Sequence, residues 1–208
     1  MVAMISDLLK PAVTRVITPS AKILLRLGLT PNSMTVLGGF GVVVSAFAFY
    51  PTKHFFLGTI VITFFILSDL FDGTMARLSK KGSSPWGSFI DSTMDRVTDS
   101  SVLIALILGL DAHGDRLIPV ILIAILTGVL VPYIRAKAES IGVACSGGLA
   151  ERTERLIIAL VAIGLHGLGV HYALAVGMWL LAVLGTFTVI QRVVIVKKAL
   201  YKNHPANL

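Results

Sequence analysis

The sequence predicts an all-α integral membrane protein, with six transmembrane helices preceded by an N-terminal amphipathic interfacial helix. Three observations lead there. Of the 208 residues, 55% are apolar before glycine is counted and only 14% are charged, where soluble domains carry about 45–50% with glycine included and about 25%. Mean hydropathy is +0.87. Long apolar runs recur at 33–50, 54–68, 101–110, 117–134, 156–170 and 172–190. The net charge of +7 fits cytoplasmic loops and anionic headgroups. No basic stretch interleaved with aromatics points to nucleic acid. The single cysteine, Cys145, excludes an internal disulfide and reads as a small loop residue.

Residues 1–30 are not a secretory signal. Met4, Ile5, Leu8, Leu9, Val16, Ile17, Ile23, Leu24 and Leu27 are interrupted by Lys10, Arg15, Lys22 and Arg26, and Pro11 and Pro19 cut the stretch into short pieces. That pattern suits helices lying in the cytoplasmic interface. The first span follows Pro31-Asn32-Ser33, a helix-start signal; Gly38, Gly39 and Gly41 within it permit close helix packing. Runs 54–68 and 101–110 fall short of the ~20 residues that cross a ~30 Å hydrocarbon core. Each reaches that length only by extending into the polar segment between them, which holds Asp69, Asp72, Asp91 and Asp95. Residues 31–198 then form one six-helix domain, and 199–208 a cytoplasmic tail.

With six spans, sixteen of the eighteen Lys and Arg residues fall on one side, leaving only Lys53 and Arg116 on the other. The basic side is cytoplasmic. Both termini and the acidic cluster share it, and the chain belongs in the cell membrane.

That cluster is the informative stretch. Asp69, Asp72 and Ala76 share a helix face through i+3 and i+4 steps, and Gly87, Asp91 and Asp95 make a second stripe at i+4. The linker 78–86 is short and contains Gly82 and Pro85, so the two helices are expected to be antiparallel neighbours. Four carboxylates sharing one region near a membrane require compensation, by protonation or by divalent cations. All-oxygen donors suit Mg²⁺ or Mn²⁺. The absence of His and Cys argues against zinc.

These residues resemble the signature of the CDP-alcohol phosphotransferases, D-x2-D-G-x2-A-R followed by G-x3-D-x3-D. It is complete here as Asp69, Asp72, Gly73, Ala76, Arg77, Gly87, Asp91 and Asp95, with a nine-residue spacer at 78–86. The resemblance implies a metal-dependent enzyme that moves a phosphatidyl-type group from a CDP-linked lipid to an alcohol and releases CMP. It implies Asp69, Asp72, Asp91 and Asp95 as ligands of two ions, Mg²⁺ or alternatively Mn²⁺, and Asp95 also as general base. It places Asp69, Asp72, Gly73, Ala76, Arg77 and Gly87 against the donor CDP-diacylglycerol. Asn32 and Thr35 either join that end of the site or only start a helix. A homodimer is expected from the family. Asp99 continues the stripe by one i+4 step outside the signature; it extends the polar site or, the favoured reading, pairs with a nearby Arg.

The acceptor is addressed by Arg135-Ala136-Lys137-Ala138-Glu139 and Glu151-Arg152-Thr153-Glu154-Arg155, with Arg192 further on. Positive-inside topology and Glu–Arg pairing account for part of this charge. A phosphorylated acceptor accounts for it as a binding site, since arginine recognises phosphate through paired hydrogen bonds. The segments look like an actinobacterial subgroup that makes phosphatidylinositol phosphate from inositol 1-phosphate (1D-myo-inositol 3-phosphate). By that resemblance Arg135, Lys137, Arg152, Arg155 and Arg192 bind the acceptor's phosphate. Glycerol 3-phosphate, giving phosphatidylglycerophosphate, is the alternative acceptor. From another class, intramembrane carboxylates also mark cation or proton transporters. A transport path needs ionisable groups near the midplane or on both sides, and here they gather at one end.

Overall fold

A computed structural model describes residues 18–20, 22, 23, 25, 27–67, 74, 75, 77, 78, 84–110, 115–145 and 152–203. Among these residues the fold is all-helical, with no strand. The helices are α1 (Pro31–Phe49), α2 (Phe55–Ile66), α3 (Pro85–Gly109), α4 (Ile118–Ser140), α5 (Arg152–Gly167) and α6 (Ala173–Asn203). Each apolar run of the sequence falls on one of them. The run at 101–110 is the second half of α3, whose first half carries Asp91 and Asp95.

Helix ends follow local chemistry. Thr30 caps α1: its Oγ1 accepts from the Ser33 amide at 3.1 Å, and Ser33 Oγ accepts from the Thr30 amide at 2.9 Å. Pro31 then occupies the first helical position, where a missing N–H costs nothing. Before α4, Asp115 Oδ1 accepts from the Leu117 amide at 2.9 Å and Pro119 opens the helix. The turn after α5 is closed at Gly169, whose φ of 91° allows the bonds from Gly169 to His166 and from Val170 to Leu165. Glycine adopts that left-handed geometry without steric penalty.

Among the described residues, three helices are long and apolar enough to cross a membrane: 31–49, 118–140 and 173–201. Helix α2 is apolar but has 12 residues. Large apolar side chains such as Phe40, Phe64, Leu126 and Val183 are exposed, as expected of helices whose outer faces meet hydrocarbon. Of the N-terminal segment 1–30, residues 1–17 lie outside the described residues. Thr18–Ser20, Lys22, Ile23 and Leu25 are helical.

The chain forms two compact units, with boundaries inside α1, α2 and α3. In the first, comprising residues 1–45 and 60–98, Gly39 lies against Met94 and Thr98, and Gly41 against the Phe65 ring. In the second, comprising 46–59 and 99–208, α6 packs against α4 and α5. Gly185 meets Thr127 and Gly177 meets Ala162 at those crossings, the close approach that small residues allow. Leu106, Ile121, Ile163, Leu174 and Met178 are buried there. Helix α6 has 31 residues, more than the ~20 a bilayer needs. Near its C-terminal end Ile195, Val196, Ala199 and Leu200 cover Ala138, Val143 and Cys145.

The turn from α1 to α2 is held by Tyr50, fully buried, whose hydroxyl bonds Thr59 Oγ1 at 2.9 Å. The Tyr50 carbonyl lies where a side chain on Gly109 would begin, and backbone cannot swing aside. Gly109→Ala is therefore expected to cost about 1–3 kcal/mol through overpacking, read as a lower midpoint of thermal unfolding in detergent. Gly128→Ala should leave that midpoint unchanged, because its nearest neighbour is a guanidinium nitrogen at 3.8 Å.

Candidate functional site

In the first unit the start of α3 is brought to the start of α1. Ser84 Oγ accepts from the Gly87 amide at 3.0 Å. A Cβ on Gly87 would stand 2.8 Å from Asn32 Oδ1, so a larger residue here would push the Asn32 amide aside. Thr35, one turn beyond Asn32, is buried and donates to the Pro31 carbonyl at 3.2 Å. Asn32 and Gly87, assigned separately from the sequence, are thus neighbours.

Along α3, Asp91 is exposed and Asp95 largely covered. Arg96 Nη2 lies 3.8 Å from Asp95 Oδ2, and Thr98 Oγ1 donates to the Asp95 carbonyl at 3.2 Å. Arg77 is exposed and donates through Nη2 to Thr74 Oγ1 at 3.1 Å, one turn back. Thr74 and Met75 are buried, so this turn is anchored while its arginine reaches outward. The remaining signature residues, Asp69, Asp72, Gly73 and Ala76, lie outside the described residues. Among the described residues no group of three His, Cys, Asp or Glu side chains gathers. Asp91 and Asp95 present two carboxylates on one helix face, and oxygen donors of that kind fit Mg²⁺ or Mn²⁺.

The second unit holds the basic residues. Asp99 lies 3.4 Å from Arg152 Nε through each of its oxygens, both side chains being partly buried. Asp99 and Arg155 line one cavity of about 50 Å³, walled by Val102, Ala124, Gly128 and Leu181. A space of that size holds a few waters or a compact polar group. Arg192 is buried and donates to the Val131 carbonyl at 2.6 Å. Arg135 and Lys137 are exposed on α4, and Arg135 Nε bonds Glu139 Oε1 at 2.9 Å.

Of the five basic residues assigned to an acceptor phosphate, Arg155 lines the cavity directly and Arg152 holds one of its lining residues. The sequence carried no sign of the bond from Arg192 to Val131. Its nearest signal is Pro132 inside an apolar helix. Proline has no N–H for the Gly128 carbonyl, which loosens α4 at that level. Thr74 as the support of Arg77 was likewise invisible, since one threonine in an apolar segment carries no distinctive mark.

Comparison with known proteins places these features. The family model described as CDP-alcohol phosphatidyltransferase matches residues 28–190. The phosphatidylinositol phosphate synthase of Streptomyces avermitilis is 43% identical over 205 residues, covering 94% of this chain and 84% of that protein. Two crystal structures of the Mycobacterium tuberculosis phosphatidylinositol phosphate synthase are similar at 39% identity and a TM-score of 0.82. One has CDP-DAG bound, with 88% of this chain and 94% of that chain covered. The other is in complex with manganese and citrate, with 86% and 88% covered.

The two exposed-versus-buried arginines separate cleanly in stability. Arg192→Met removes a buried charged donor and is expected to cost about 1.5–3 kcal/mol. Arg135→Met loses an exposed i,i+4 pair of about 0.3–0.5 kcal/mol. Thermal unfolding of the two variants in the same detergent should show a clear drop for the first and almost none for the second.

Proposed function

Because the chain belongs to the CDP-alcohol phosphatidyltransferase family, we propose that it transfers the phosphatidyl group of CDP-diacylglycerol to inositol 1-phosphate (1D-myo-inositol 3-phosphate). The products are phosphatidylinositol phosphate and CMP. The observation that carries the reading is the complete eight-residue signature in a chain 43% identical to a phosphatidylinositol phosphate synthase. The partly buried arginine pair of α5 supports a phosphorylated acceptor over a neutral one.

Asp69, Asp72, Asp91 and Asp95 would hold two divalent ions, Mg²⁺ or Mn²⁺. Such ions, when bound, neutralise the donor's pyrophosphate and the charge that develops as its anhydride bond breaks. The chain's own groups do the rest. Asp95 accepts the proton of the acceptor hydroxyl as its oxygen attacks the phosphatidyl phosphorus, and the anhydride oxygen leaves with CMP. Asn32, Thr35, Gly73, Ala76, Arg77 and Gly87 orient the nucleotide end of the donor. The approach of Gly87 to Asn32 supports their acting together. Arg152 and Arg155, with Arg135, Lys137 and Arg192, receive the acceptor's phosphate.

In the membrane the reading has six spans, with both termini and the site on the cytoplasmic side. Residues 1–30 lie in the interface, and two copies form a homodimer. The charge asymmetry supports this orientation: a soluble phosphorylated alcohol arrives from the cytosol and the lipid donor arrives within the bilayer.

Purified protein with CDP-diacylglycerol and Mg²⁺ should release CMP with inositol phosphate much faster than with inositol or glycerol 3-phosphate. Preference for glycerol 3-phosphate would move the assignment to phosphatidylglycerophosphate synthesis. Asp95→Asn should lower turnover by at least ~10²-fold, the size of a general-base contribution, with thermal unfolding unchanged. Turnover retained in that variant would contradict the role given to Asp95.

A further inference from the structure

The family signature stops at Asp95, yet the acidic stripe of α3 continues one turn to Asp99. There the carboxylate meets the arginines of α5 rather than a further acid. Arg152 and Arg155 stand at i and i+3 in the first turn of α5, so their side chains are neighbours of like charge. Both also sit at the positive end of the helix dipole, where cations are disfavoured. Two cations held in so unfavourable a place need a local anion. Glu154 offers one within the same turn, and Asp99, from another helix, touches Arg152, with both oxygens 3.4 Å from Nε. The spacing is long for a directed hydrogen bond and symmetric, so the contact acts through charge. The same carboxylate lines the cavity that Arg155 lines. The apolar wall of that cavity, Val102, Ala124 and Leu181, strengthens the interaction by keeping the local dielectric low.

We propose that Asp99 is a positioning residue for acceptor binding. Its carboxylate holds the Arg152 guanidinium in place and offsets its repulsion from Arg155, so that the arginine pair is arranged before the acceptor's phosphate arrives. Preorganisation of this kind lowers the cost of ordering side chains on binding. Asp99 touches no reacting atom in this scheme. The inference rests on the phosphorylated-acceptor reading above and deepens it.

The test is steady-state CMP release by full-length protein, with KM measured separately for inositol phosphate and for CDP-diacylglycerol. Asp99→Asn, which keeps size but removes charge, should raise the acceptor KM about tenfold, equivalent to ~1.4 kcal/mol, and leave the donor KM within about twofold. Arg152→Gln should raise the acceptor KM as well, and the double variant should be no worse than Arg152→Gln alone. Asp99→Glu keeps the charge on a longer arm and should shift the acceptor KM in the same direction by less, which keeps the test available if Asp99→Asn folds poorly. An acceptor KM unchanged or lowered in the Asp99 variants overturns the proposal. So do equal shifts of both KM values, the mark of a merely structural role, or multiplicative effects in the double variant. Wild-type turnover with inositol phosphate alongside a normal KM in Asp99→Asn would remove only the role of Asp99. A wild type active only with unphosphorylated alcohols would remove the acceptor reading and this inference together.

Discussion

Charge placed among apolar helices must be compensated where it stands, because the surroundings supply neither water nor mobile ions. The chain has few charges for its length, and the described ones obey this constraint in different ways. Asp99 is matched by Arg152 across two helices. Arg192 is matched by a main-chain carbonyl. Arg77 leans on a buried threonine. Exposed Arg135 pairs with its neighbour on the same helix, Glu139. Asp95 has Arg96 3.8 Å away, yet the signature as a whole carries four aspartates against the single arginine Arg77. Their sequence spacing sets acids on shared helix faces, and no matching set of cations occurs within the signature. Divalent metal is the compensation that the chemistry of carboxylate oxygen favours.

Small residues make that charge arrangement reachable. Gly87 lets the start of α3 close on Asn32, and Gly109 lets the end of the same helix pass the Tyr50 carbonyl. One helix therefore has glycine at a tight approach near each end, and its acidic stripe lies between them. In α4, Gly128 and Pro132 lie beside two arginines. The Arg155 guanidinium lies near the glycine at ordinary van der Waals distance, and the proline loosens the helix near the Val131 carbonyl that Arg192 engages.

Much of this was legible in the chain. Helical class followed from composition and from apolar runs too long and too uniform for strands. The signature residues followed from i+3 and i+4 spacing, a period the backbone enforces. Helix starts were legible where side chains make them, as at Pro31. What could not be read depends on contacts between segments far apart in sequence. Arg192 with Val131, 61 residues apart, is one case; Asp99 with Arg152, 53 apart, is another. A preference for some Arg partner was visible for Asp99, because an unpaired acid on an apolar helix is costly. The identity of that partner was not, since Arg152 and Arg155 have the same local pattern. The run at 101–110 looked incomplete by itself for a related reason: hydropathy marks where a helix is apolar, while its true start lay upstream in polar residues that Ser84 and Pro85 open.

The most direct test of the compensation principle is Mn²⁺ binding to the purified protein without substrate, followed by electron paramagnetic resonance. Saturable binding that is lost on Asp91→Asn and on Asp72→Asn, with thermal unfolding of the metal-free protein preserved, is the expected result. Absence of saturable binding in the wild type, or binding indifferent to both substitutions, would contradict the assignment of the aspartates as metal ligands.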